Sequence, residues 1–186
     1  KIITASICMS TYNLVEQGKN HKRAPQNIDT NPIITGHEFA GVIVKVGKKW
    51  QDQFKPGMRF AQQPALNYKG SLASPGYSYE FFGGDATYCI FPHEVMELGA
   101  LMPYEGESFF EASLGEPMSC IIGGYHANYH TNKQNYEHAM GTKEGGNIII
   151  LGGCGPMGLG AVSYGINYKN KPKRIVVTDI NEARIA

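Results

Sequence analysis

No apolar run in the chain approaches the ~20 residues that a membrane-spanning helix needs, so a membrane partner is not expected. The N-terminal KIITASICMSTY lacks the basic-then-apolar pattern of a secretory signal. Excess charge is missing too: 17 Lys and Arg stand against 16 Asp and Glu, a formal net charge of +1. That balance excludes a disordered polyelectrolyte, and a protein that grips nucleic acid through a basic face. Cysteines are few, and Cys8, Cys89, Cys120 and Cys154 form no CxxC pair. A chain of 186 residues with 42% hydrophobic content can bury a core without disulfide staples, so reduced thiols in a cytoplasmic protein are expected. Internal repeats and low-complexity segments are absent as well.

Glycine, by contrast, is plentiful, and its clustering points to backbone turns rather than linkers. Lys1–Ile7 reads as the tail of a strand, so the natural polypeptide is expected to begin earlier. Asn13–Asn31 is polar and reads as a long loop. Pro32–Gly47, PIITGHEFAGVIVKVG, reads as a buried strand, a polar break at Gly36-His37-Glu38, and a second strand over Ala40–Val46. Further short strands are expected at Arg59–Gln62 and Ala86–Phe91, with an irregular excursion over Gln63–Asp85 between them. Short strands joined by Gly/Pro turns predict an antiparallel β-barrel or sandwich.

The pattern changes at Glu116-Pro117, which opens a helix running to about Tyr129, with Pro where its missing N–H costs nothing. Thr131–Gly146 carries no strong pattern. The remainder reads as strand, glycine turn, helix, loop, strand and the start of another helix, one βαβ unit. That is far short of a complete dinucleotide-binding sheet, so a chain truncated at both ends is expected.

Within this unit Gly153-x-Gly155-x-x-Gly158 follows the apolar strand Ile148–Leu151. The first Gly permits a tight turn, the second lets backbone approach a pyrophosphate, and the third lets helix and strand pack closely. Pro156 and Met157 complete the turn at the helix N-terminus, whose N–H groups favour anions. Asp179 ends the next strand, 21 residues beyond Gly158, where an acid hydrogen-bonds the adenosine ribose. The reading is a dinucleotide site that prefers NAD(H) over NADP(H), because the carboxylate repels a 2′-phosphate. Arg184, a few residues on, softens that preference.

Metal-ligand residue types occur at three separated points: Cys8 in SICMSTY, His37 and Glu38 in the GHE break, and Glu116 in SLGEPMSC. Thiolate, imidazole and carboxylate suit Zn²⁺ with a fourth position for water or substrate. A lone Cys is equally at home as a small hydrophobe, and Glu-Pro is an ordinary helix start. Spacing leaves both readings open, since these residues form no compact motif. His21, His93, His126, His130 and His138 read as loop or exposed residues without an acidic or thiol companion.

These residues in this order resemble the zinc-dependent medium-chain dehydrogenase/reductase family, which includes alcohol and sorbitol dehydrogenases. The resemblance rests on CMS at Cys8–Ser10, GHEFAG around His37, FKPGMRF, GGDATY at Gly83–Tyr88, LGEP at Leu114–Pro117 and LGGCGPMGLG. QPALNY, EVME, LMPYEG and EPMSCIIGGYHANYHT resemble the sugar-phosphate branch, the L-sorbose-1-phosphate reductases. The resemblance implies an α/β protein: a β-rich GroES-like catalytic domain over residues 1–119, then the start of a Rossmann NAD(P)-binding domain over 120–186. It implies one catalytic zinc held by Cys8 and His37 with Glu38 or Glu116, and Ser10 as the hydroxyl that relays a proton. No structural zinc is expected, because Gln63–Asp85 has no cysteine cluster. Thr11 and Met58 stand where many members carry Asp.

The implied reaction interconverts L-sorbose 1-phosphate and D-glucitol 6-phosphate in a homo-oligomer, a dimer or tetramer. Other polyol or threonine dehydrogenases, a zinc-free quinone-reductase type, and an inactive nucleotide-binding regulator are the competing readings. His21, Lys22 and Arg23 offer cationic donors for a substrate phosphate. The plainer expectation for them is a solvated basic loop.

Overall fold

The computed structural model describes residues 1–185. The chain divides into two compact units, Lys1–Glu116 and Pro117–Ala186.

The first unit is built on a sheet of four antiparallel strands in the order β1-β2-β3-β4. Strand β1 spans Ile2–Ser6 and runs into helix α1, Met9–Gln17. Strands β2, Glu38–Val42, and β3, Arg59–Gln62, follow. Helix α2, His93–Glu97, precedes β4, Leu101–Pro103, and α3, Phe109–Ser113. Phe39, Phe60 and Phe82 are almost wholly buried and meet edge to face. Phe91 closes the cluster, 4.5 Å from Phe82 between ring centroids. Aromatic pairs in this geometry add to their area burial, so the four rings fix the core.

Several local expectations are corrected. The polar segment Asn13–Asn31 is not all loop: α1 occupies Met9–Gln17, burying Leu14 alone. Pro32–Thr35 forms no strand, and β2 begins at Glu38 and ends at Val42 rather than spanning Ala40–Val46. Ala86–Phe91 is also not a strand. These apolar segments are held by scattered backbone bonds instead of a ladder: Ile34 N–H to Tyr79 O, Ile90 N–H to Phe81 O and Ile2 N–H to Thr87 O.

The second unit contains most of helix α4, which spans Gly115–Ala127, then a short antiparallel hairpin of β5, Tyr129–Thr131, and β6, His138–Met140. The hairpin falls where the sequence shows no pattern. A βαβ unit follows: β7, Asn147–Leu151; α5, Pro156–Asn167; and β8, Arg174–Thr178, with β7 and β8 parallel and in register from Asn147↔Arg174 to Leu151↔Thr178. A last turn, α6, spans Glu182–Ile185. Ile121, Tyr125 and Tyr168 form the core of this unit, and the Tyr125 hydroxyl donates to Ala161 O at 2.7 Å. Among the described residues no helix is long and apolar enough to cross a membrane.

Candidate metal centre and nucleotide turn

The β1–β2 ladder places Ser6 directly opposite Glu38, and the Ser6 hydroxyl donates to Glu38 Oε2. Two residues beyond β1, Cys8 caps α1 in an extended conformation, leaving its side chain out of the helix cap. His37 precedes β2, its carbonyl accepting a hydrogen bond from Gln62 Nε2 in β3. The tight approach at Gly36 is set by glycine alone: its φ is +83°, and a Cβ there would stand 2.5 Å from Asp85 Oδ1. Asp85 is itself tied to this segment by Thr35 Oγ1, 2.7 Å away, and by its own amide, which donates to Thr35 O. GGDATY therefore backs the GHE turn.

These elements bring one ligand atom each of Cys8, His37 and Glu38 within 4.8 Å of one another. Among the described residues this is the one such group of three metal-ligand side chains. His37 and Glu38 are 5% and 7% exposed. Nε2 of His37 lies 3.9 Å from Glu38 Oε1, too far for a hydrogen bond. Burial lowers the His37 pKa below its ordinary 6.5, against the pull of Glu38 and Asp85 and with a smaller push from Arg23. The imidazole is therefore neutral at neutral pH and offers a lone pair. The buried Glu38 carboxylate then has an uncharged neighbour where a buried anion calls for a cation. Donor chemistry and charge both fit a divalent zinc ion.

Glu116 lies outside the gathered set, in the first turn of α4, and its charge reaches Tyr77. Ser10 stands between the candidate ligands: its Oγ donates to Cys8 Sγ at 3.0 Å and is 3.3 Å from His37 Nε2.

Tyr77 is the residue that sequence reasoning missed. Its hydroxyl donates to Ser10 Oγ at 2.8 Å, and its ring tilts over His37 with centroids 5.0 Å apart. Burial is the main cause that raises its pKa, so it remains a neutral phenol. His37 Nδ1 has no hydrogen-bond partner among the described residues, so the aromatic contact, rather than a second-shell acceptor of the usual kind, orients the ring. His93, read as lacking an acidic companion, has one: its Nε2 is 3.1 Å from Glu97, which Lys49 also binds. A cavity of about 740 Å³ lined by Val42–Trp50, Phe54, Phe60 and Tyr88–Phe91 contains none of the candidate ligands.

In the second unit the glycine turn joins β7 to α5. Gly153 N–H donates to Thr178 O at 2.9 Å, tying the turn to the end of β8. Gly155 caps α5 in an extended conformation, Pro156 is in its first turn, and Met157 is half exposed there. A Cβ on Gly158 would run into the Gly153 backbone, the close strand-to-helix approach expected of the third glycine. Asp179 Oδ2 accepts the Cys154 amide and Oδ1 the Asn181 amide, both at 3.0 Å. The Asn181 and Cys154 bonds are the leading causes that hold the Asp179 pKa below the ordinary value. Arg184 reaches the same turn, with Nη1 3.8 Å from where a Gly155 Cβ would stand.

The alcohol dehydrogenase GroES-like domain profile matches residues 1–103. The mannitol-1-phosphate 5-dehydrogenase of Aliivibrio fischeri is 55% identical over 186 residues, covering 100% of this chain and 44% of that protein. The L-sorbose 1-phosphate reductase of Klebsiella pneumoniae is 44% identical over 186 residues, covering 100% of this chain and 45% of its own length. The chain thus spans less than half the length of these curated relatives. Among solved structures, a short chain alcohol dehydrogenase (rspB) from E. coli CFT073, complexed with NADH, superposes with a TM-score of 0.65 at 22% identity. It covers 100% of this chain and 50% of its own, a likeness of fold.

Proposed function

Because the chain belongs to the medium-chain dehydrogenase/reductase family of alcohol- and sorbitol-dehydrogenase-like oxidoreductases, we propose that this protein moves a hydride between NAD(H) and a six-carbon ketose or polyol phosphate, with catalytic zinc. The names of both relatives carry a sugar phosphate. The reaction we favour interconverts L-sorbose 1-phosphate and D-glucitol 6-phosphate, with mannitol 1-phosphate as the neighbouring substrate.

The observation that carries the zinc reading is the convergence of Cys8, His37 and Glu38 around a buried carboxylate beside a neutral imidazole. Those three residues would hold the ion, with Glu116 as the alternative carboxylate. When bound, zinc supplies Lewis acidity toward the substrate oxygen and the nicotinamide supplies or accepts a hydride. Cys8 and Glu38 balance the cation's charge. Ser10 holds a proton at Oγ beside the ligands, and Tyr77 extends the hydroxyl chain by one member, 2.8 Å on. A serine hydroxyl alone has an unsuitable pKa for acid–base work, so a second hydroxyl in line gives its proton a path. In the second unit the amides of Gly155, Met157 and Gly158, at the start of α5, offer donors to a pyrophosphate. Those of Gly153 and Cys154 are held by Thr178 and Asp179, and Asp179 keeps lone pairs for the adenosine ribose.

A substrate panel on the full-length protein tests this reading. L-sorbose 1-phosphate and mannitol 1-phosphate are compared with free sorbose, glucitol and mannitol under NADH/NAD and NADPH/NADP, alongside zinc content. Turnover that ignores the phosphate, or a fully active metal-free protein, refutes it.

A further inference from the structure

The loop carrying His21, Lys22 and Arg23 is not the solvated segment expected of it. The Arg23 amide donates to His21 Nδ1 at 3.3 Å. The Arg23 carbonyl accepts from Ser78 Oγ at 2.7 Å, and Ser78 Oγ accepts the Ser74 amide at 3.0 Å. Nη1 of Arg23 donates to Leu72 O at 2.7 Å. The loop is thus bolted to the segment that carries Tyr77.

Both side chains then gather on that tyrosine. His21 stacks on its ring, with centroids 5.3 Å apart and planes 15° apart, and the Arg23 guanidinium carbon is 5.8 Å from the same centroid. Arg23 takes part in none of the ion pairs found among the described residues. A guanidinium has five N–H donors in a planar fork, and among the described residues the Leu72 carbonyl is the one acceptor bound to it. Because His21 Nδ1 accepts Arg23's amide, its neutral tautomer carries hydrogen on Nε2, a second donor. The Tyr77 hydroxyl meets Ser10 while its ring meets His37. One aromatic side chain therefore spans from the metal-ligand cluster to an unneutralised, pre-positioned cation.

We propose that Arg23 and His21, seated on Tyr77, form the subsite for the phosphate monoester of the substrate. This rests on the sugar-phosphate reading above. A phosphate monoester carries close to two negative charges at neutral pH, and the guanidinium fork matches its oxygens two at a time. Fixing the fork in advance lowers the ordering cost of binding. Lys22, exposed beside them, adds charge without geometry.

The experiment is the ratio of kcat/KM for D-glucitol 6-phosphate over D-glucitol, measured on the full-length zinc-loaded protein and on Arg23→Gln. The wild-type ratio is well above one, and in the variant it falls about 10- to 100-fold, the worth of a charge-assisted contact. Arg23→Lys, which keeps the charge and loses the fork, recovers part of the ratio. Inorganic phosphate competes with the sugar phosphate in the wild type and loses potency in parallel. A wild-type ratio near one refutes the sugar-phosphate reading itself. A high wild-type ratio that survives in Arg23→Gln refutes this subsite and leaves that reading standing. A raised KM for NADH with the ratio intact assigns the cation to a cofactor phosphate and also overturns the proposal. If Arg23→Gln proves unstable, Arg23→Lys and phosphate competition decide alone, an unchanged ratio and potency counting against it.

Discussion

The hydroxyl of Tyr77 donates to Ser10 across 67 residues of sequence, and Ser10 in turn donates to the sulfur of Cys8. A loop without regular structure thereby sets where the hydroxyl beside the candidate metal ligands points. Tyr77→Phe keeps the ring on His37 and removes only that donor. It is expected to lower stability by about 1 kcal/mol, read by urea unfolding. It should reduce kcat about tenfold, less than the 10²–10⁴ attached to losing an acid–base group itself, which is the expectation for Ser10→Ala. Equal kcat in Tyr77→Phe and wild type breaks the link.

The gathered set of Cys8, His37 and Glu38 gives an order of importance for metal binding. His37→Ala and Cys8→Ala are expected to leave the full-length protein without the proposed catalytic zinc and inactive. Glu38→Gln should weaken zinc binding more than Glu116→Gln, by about 10-fold or more, in a competition titration against a chromophoric chelator. The opposite order makes Glu116 the ligand. Full zinc in His37→Ala removes the site assignment altogether.

His21 offers a check on the Arg23 geometry that needs no substrate. Burial lowers its pKa first, with Arg23 and then Lys22 adding to the effect, while the ring of Tyr77 covers one face. Its folded pKa is below the ordinary 6.5, so between the two values the unfolded chain holds more protons than the folded one. Stability from this group is complete above about 6.5 and is lost as pH falls through the folded value. An NMR titration of the His21 ring should give a pKa below 6.5, rising toward it in Arg23→Gln. A value above 6.5, or no response to Arg23→Gln, contradicts the arrangement.

Gly36→Ala tests the turn behind His37. A side chain at φ +83° costs about 1–2 kcal/mol from the backbone alone, and the new Cβ meets the Asp85 carboxylate as well. Destabilisation beyond 2 kcal/mol in a denaturant melt, with weakened zinc binding, is expected. A neutral effect on both shows that the turn adapts.

How legible all this is in the sequence depends on how local each feature is. The βαβ unit is written in consecutive residues, so β7, the glycine turn, α5 and β8 fall where expected. Helix α1 is not, because only Leu14 is buried and no side chain caps it, which leaves little apolar rhythm among polar residues. Pro32–Thr35 and Ala86–Phe91 look like strands because they are apolar, yet their backbones bond one at a time to different neighbours. The hairpin of Tyr129–Thr131 with His138–Met140 is too short and too polar to show alternation. Cys8, His37 and Glu38 are visible as residue types, while their convergence needs the Ser6–Glu38 register. Tyr77 leaves no mark, since its meaning lies in Ser10, His37, His21 and Arg23, all distant along the chain.

The carboxylate of Asp179 accepts the Cys154 amide from the glycine turn and the Asn181 amide from the chain beyond β8. It is therefore a clasp as well as the proposed cofactor contact: it fastens the two ends of the parallel strand pair. Exchanging it to admit a 2′-phosphate would loosen the turn proposed to receive the pyrophosphate. A switch of cofactor preference in this protein thus needs two changes, one that welcomes the extra phosphate, for which Arg184 is already at hand, and one that refastens Cys154.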